Sequence, residues 1–106
     1  MARNKVVIQF KAKSTADFDR LLKIEETLFQ AFSQSNVGVV DGHDIGQGTF
    51  NVFIHPRDSW GPVLERVEAF LKLRGLLDEA VIAKFHGKSE RYQVVHPATH
   101  RGGFAL

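Results

Sequence analysis

Cysteine is absent from the 106 residues, which removes disulfides, thiolate metal sites and thiol catalysis together and fits a reducing cytoplasm. No apolar run reaches the length of a membrane span. Met1-Ala2-Arg3-Asn4-Lys5 leads into a short apolar strand instead of the longer apolar core of an export signal, so a cytoplasmic protein with no membrane contact is expected. No serine or threonine stands as a partnered nucleophile, and neither a Gly-x-Ser-x-Gly elbow nor a phosphate-binding loop occurs. Charge of one sign is scarce too: 14 Lys and Arg against 12 Asp and Glu leave a net +2, which demands no polyanionic partner. One Trp and one Tyr stand beside nine Phe, which points to a phenylalanine-rich interior. The chain shows no internal repeat and no low-complexity segment.

A hydrophobic content of 43% with 25% charged residues is ordinary for one folded domain of this length. We expect that domain over 1–97 and a tail over 98–106, which has no periodicity until Phe104 or Leu106 finds a pocket. Val6, Ile8 and Phe10 alternate with Val7, Gln9 and Lys11 as in a strand with one face on a core. Ser14-x-x-Asp17 can cap a helix running to about Ser33, with Phe18, Leu21, Leu22, Leu28, Phe29 and Phe32 on one face. Val37 to Asp44 and Thr49 to His55 read as two strands joined at Gly46-Gln47-Gly48. Asp58 or Ser59 starts a second helix with Pro62 in its first turn, a stripe of Trp60, Val63, Val67, Phe70 and Leu71, and Gly75 at its end. Val81 to His86 and Tyr92 to His96 complete the pattern. The order β-α-β-β-α-β with a final hairpin extension predicts an α+β, ferredoxin-like antiparallel sheet with two helices on one face. Its other face should carry Val7, Gln9, Asn51 and Phe53, a partly apolar candidate interaction face.

The candidate chemistry lies in Asp41-Gly42-His43-Asp44. Glu25 falls near the middle of the apolar arc of the first helix, where an acid is costly unless paired or protonated. It either reaches water along its stem or faces the sheet and meets Asp41 or His43 there. Glu25, Asp41, His43 and Asp44 thus form a candidate polar cluster. Alternation puts Asp41 and His43 on one strand face and Asp44 on the other, so three-fold convergence needs a bulge. No metal and no cofactor is expected, because Asp41 and Asp44 serve equally as turn-shaping acceptors of backbone N–H groups. Gly46-x-Gly48 is too short for a dinucleotide fingerprint.

The pattern Asp41-Gly42-His43-Asp44-x-Gly46-x-Gly48, followed by Asn51-x-Phe53-Ile54, resembles a group of small uncharacterised bacterial proteins in which an Asp-Gly-x-Asp/Glu-x-Gly-x-Gly turn precedes an Asn-x-Phe-Ile strand. The likeness extends back to Asp17-Phe18, Leu21-Leu22 and Glu25, and forward to Arg74-Gly75-Leu76-Leu77 and Val94-Val95-His96-Pro97. The group carries an aromatic where this chain has His96. The resemblance implies a stand-alone ferredoxin-like domain and no particular activity.

Nucleic-acid binding is not expected. An RNA-recognition strand would carry a leading basic residue and aromatics two apart on the open face, whereas Gln47 leads here and Phe50 and Phe53 face opposite sides. Two readings remain. One is a non-enzymatic bacterial module acting through protein contacts, as a homodimer joined across the open sheet face or an edge strand, or with another protein partner. The other is an enzyme or small-ligand binder of the dimeric α+β barrel type, with Glu25, Asp41 and His43 as acid–base groups.

Overall fold

The computed structural model describes residues 3–100 and 103–106. The elements follow in the order β1 (Lys5–Lys11), α1 (Thr15–Ser33), β2 (Gly38–Gly46), β3 (Thr49–Pro56), α2 (Trp60–Leu73), a single 3-10 turn (Leu77–Glu79), β4 (Ala80–His86) and β5 (Arg91–His96). The strands form one five-stranded sheet in the spatial order β2-β3-β1-β4-β5, and every neighbouring pair is antiparallel. The chain is an α+β protein with two helices. Among the described residues no helix is long and apolar enough to cross a membrane.

Local chemistry sets the helix limits. The Ser14 hydroxyl accepts from the Asp17 N–H at 3.1 Å, while the Asp17 carboxylate accepts from the N–H groups of Lys13 and Ser14 at 3.0 and 3.3 Å. Donors that would be orphaned at a helix start are satisfied in this way. The Lys13 N–H is the main reason the Asp17 carboxyl is held below its ordinary value, with Ser14 assisting. At the end of α2, Gly75 takes φ +69°, and the N–H groups of Gly75 and Leu76 bond back to Lys72 and Leu71 at 3.1 and 2.8 Å. That left-handed stop suits a residue without a Cβ.

Alternation in the strands then builds the core. Val6, Ile8 and Phe10 of β1, Phe50, Val52 and Ile54 of β3, and Ile82 of β4 share one cluster with Leu21, Leu28 and Phe32 of α1 and Val63, Val67 and Leu71 of α2. Both helices therefore cover the same side of the sheet. Two members of the expected α1 stripe depart from it: Leu22 and Phe29 are 43% and 47% exposed. The helix packs chiefly over β2, and β2 is the last strand on that side. The outer part of the apolar arc therefore overhangs the sheet edge and has no floor beneath it.

Residues 103–106 lie against the second face. Gln9 Nε2 donates to the carbonyl of Ala105 at 2.7 Å, the Phe104 ring sits 5.2 Å from Tyr92, and Tyr92 sits 4.8 Å from Phe85. Leu106 closes on β2 so tightly that a Cβ at Gly46 would lie 2.6 Å from its carbonyl group. Three consecutive residues thus touch β5, β1 and β2. The segment crosses the second face between the two edge strands, partly through the reach of the Gln9, Tyr92 and Phe104 side chains. Val7, Asn51 and Ala83 beneath it are wholly buried. Burial raises the Tyr92 hydroxyl above its ordinary value, and the Asp44 carboxylate from the opposite edge strand adds to the shift.

Phe50 is fully buried at the meeting point of α1, β2 and β3. Phe50→Ala is expected to lower unfolding stability by about 3–5 kcal/mol through lost burial and the cavity left behind, read from the urea midpoint at unchanged m-value. The raised Tyr92 group contributes stability that is complete below its ordinary pKa and is lost as pH rises through the folded-state value. Tyr92→Phe is therefore expected to flatten the fall in melting temperature on the alkaline side and leave the neutral range unaltered.

Candidate functional site

A one-residue bulge in β2 arranges the polar groups. Val40 stands opposite Ile54 and Gly42 opposite Phe53, so Asp41 is the extra residue between them. Gly42 takes φ +142° there, a conformation that L side chains rarely adopt. Past the bulge His43 stands opposite Val52. Ile54 and Val52 both belong to the helix-side core, so Val40 and His43, three positions apart, come to the same side. Asp41 is released from the alternation that would have placed it beside His43.

The polar residues consequently separate into two pairs. On the helix side, Glu25 Oε1 of α1 lies 2.8 Å from His43 Nδ1, and the His43 ring stacks on Phe50 at 4.7 Å with an interplanar angle of 15°. The Glu25 side chain is 15% exposed and that of His43 32%. An ionised carboxylate can only accept, so this contact puts a proton on Nδ1, and Nε2 has no hydrogen-bond partner among the described residues. At the other end of the bulge, Asp41 Oδ2 lies 3.2 Å from His55 Nε2, and His55 Nδ1 faces the carbonyl of Asn4 at 3.4 Å. Asp44 joins neither pair. It stands opposite Asn51 on the second face, and its carboxylate accepts from the N–H of Ile45 at 2.9 Å, in the manner of a turn-shaping aspartate.

Two recesses adjoin these pairs. One, of about 260 Å³ between α1 and β2, has a floor of Leu22, Phe29 and Val40 and carries Glu25, Glu26 and Asp41. The other, of about 420 Å³ beside the start of β2, is lined among others by Arg3, Arg57, Asp41 and His55. Carboxylate-held imidazoles at the rim of an apolar recess can relay a proton or hold an amine. Among the described residues no three His, Cys, Asp or Glu side chains converge as metal ligands. Of the second-face residues, Gln9 Nε2 donates to Asn51 Oδ1 at 2.9 Å, and Asn51 Nδ2 donates to Thr49 Oγ1 at 3.2 Å. Val7 and Asn51 are buried, while Gln9 and Phe53 are half-buried. The Lys5 ammonium caps Phe53 at 4.8 Å and Phe85 at 4.9 Å.

His55 as the partner of Asp41 has a weak signal in the sequence, since it alternates in phase with Phe53 and so belongs to the second face. The involvement of residues 103–106 has none, because the segment has no periodicity. No protein-family model, no curated protein and no solved structure matches the chain. The class that the fold and the two pairs define is therefore a small α+β domain with carboxylate–imidazole pairs at one sheet edge.

Glu25→Leu is expected to leave the His43 Nδ1–H without an acceptor. The partly exposed site limits the loss to about 1 kcal/mol of unfolding stability. Long-range 1H–15N spectra of the imidazole should show the Nδ1 resonance moving as its hydrogen bond is lost.

Proposed function

We propose that this protein is a ferredoxin-like interaction module that pairs with a second copy of itself along β2 and α1. The observation that carries this reading is where apolar surface remains. Among the described residues five large hydrophobic side chains are left exposed; Leu22, Phe29, Val39 and Ile45 lie on α1 or β2, and Leu73 lies elsewhere. They flank a strand that pairs on one side alone, with β3. An unpaired strand edge beside apolar side chains is a template for adding another strand, and natural sheets blunt such edges unless they are used. The Asp41 bulge leaves the Gly42–Gly46 part of the edge regularly laddered to β3. A ferredoxin-like βαββαβ unit extended by β5 is supported by the order β2-β3-β1-β4, with α1 and α2 as the two crossovers. Association through the second face, as in dimeric α+β barrels, is disfavoured because residues 103–106 already cover it.

A second reading takes the Glu25–His43 pair and the adjoining recess as an acid–base site for a small ligand, a use supported by the 2.8 Å contact and by an Nε2 without a partner among the described residues. The two readings part in their readouts: a small-ligand site predicts a saturable response that His43→Ala abolishes, and self-association predicts a doubled mass without any ligand.

Sedimentation equilibrium of the full chain is expected to return twice the 11.9 kDa chain mass. The double variant Leu22→Glu, Phe29→Glu should sediment as a monomer with an unchanged circular dichroism spectrum, since both side chains already face solvent. A wild-type chain that stays monomeric at millimolar concentration would sink the reading.

A further inference from the structure

We infer that the second face of the sheet is a groove for a peptide segment that carries an aromatic residue, and that residues 104–106 of this chain are its resident occupant. The inference does not rest on pairing along β2.

Two features of the groove address main chain instead of side chain. Gln9 and Asn51 form an amide pair across β1 and β3, in the midst of Val7, Ala83 and Phe85. Asn51 is the single polar residue among the described residues that are buried. Covering an apolar face does not require such a pair, and burying it is unfavourable unless each amide finds partners. The pair has a use if a backbone crosses it: Gln9 Nε2 spends one hydrogen on Asn51 Oδ1 and gives the other to the carbonyl of Ala105 at 2.7 Å. Gly46 supplies the second feature. The place of its missing Cβ is shared by the backbone of Leu106 and the hydroxyl of Thr49, each 2.6 Å from where the carbon would be.

Selectivity comes from the β5 end. Phe85, Tyr92 and Phe104 stack in series at 4.8 and 5.2 Å, so a ring must stand where Phe104 stands. The middle residue contributes its carbonyl, and the third must pass over a glycine. Together these describe a segment read by its backbone at the centre and by its ring at one end. The occupant seen is anchored by the Gln9 hydrogen bond, the Tyr92 stack and the close approach of Leu106 to Gly46, contacts that a segment of the same chemistry can reproduce as it displaces the resident one. While residues 104–106 are seated, their high effective concentration shields the groove from a partner.

The probe is the synthetic peptide acetyl-Gly-Gly-Phe-Ala-Leu, titrated into 15N-labelled full chain and into its Phe104→Ser variant. Phe104→Ser is expected to bind saturably, with shifts at the side-chain amides of Gln9 and Asn51 and at Gly46. Its affinity should be about tenfold or more above that of the wild type, because the competitor within the chain is weakened. Adding Gln9→Leu to that variant should reverse the gain, and a peptide with Ser in place of Phe should not bind. A folded Phe104→Ser chain that shows no saturable shift overturns the inference. If Phe104→Ser fails to fold, the wild-type titration decides. Excess peptide must then drive the Phe104 and Leu106 signals from their packed positions, and their staying in place overturns it. Concentration-dependent exchange of residues 104–106 between copies, without peptide binding, would assign the groove to a second copy and overturn it as well.

Discussion

Strand β1 has to be dry on both sides. Val6, Val7 and Ile8 in succession are wholly buried, so the residues pointing each way need cover. On one side the cover is a pair of helices whose apolar stripes meet Val6 and Ile8. On the other it is a few residues of chain seated over Val7 and Gln9. Burial of apolar surface is worth roughly 25 cal/mol per Å², which makes an uncovered Val7 beside Phe53 and Phe85 an unfavourable state.

The sheet edges carry what the centre does not. At β2 the helix overhang leaves Leu22 and Phe29 without a floor, and the bulge sends neighbouring polar residues in different directions. Glu25 meets His43 under α1, whereas Asp41 meets His55 across the strand pair. The apolar surface that supports self-association and the imidazole that supports ligand chemistry therefore share one margin. A ring stacked on Phe50 ties that margin to the core, so packing defects at Phe50 would be felt at His43.

Much of the architecture was legible. The Ser14-x-x-Asp17 spacing gave the start of α1, and Gly75 the end of α2, because both positions answer to local hydrogen-bonding needs that three or four residues define. Alternation over Val6 to Phe10 and Phe50 to Ile54 located the strands for the same local reason. The bulge was not legible. Period-2 reasoning assigns Asp41 and His43 to one face, and only the partner strand's register reveals an extra residue. Leu22 and Phe29 fit a helical arc as well as Leu21 and Leu28 do, and what separates them is where the sheet stops. Residues 103–106 make no periodic pattern, because one crossing segment has no repeat to display.

The supernumerary residue in β2 also bears on how this strand tolerates change in length. Because Val40 and Gly42 flank Asp41 already in step with Ile54 and Phe53, loss of that single codon would close the ladder into regular pairing and leave every other side chain on the side it now occupies. Only the carboxylate reaching His55 would vanish. An insertion or deletion elsewhere in the strand would instead turn its remaining residues inside out. Position 41 is therefore a slot in which a reactive group can be gained or discarded while the packing behind it stands unaltered.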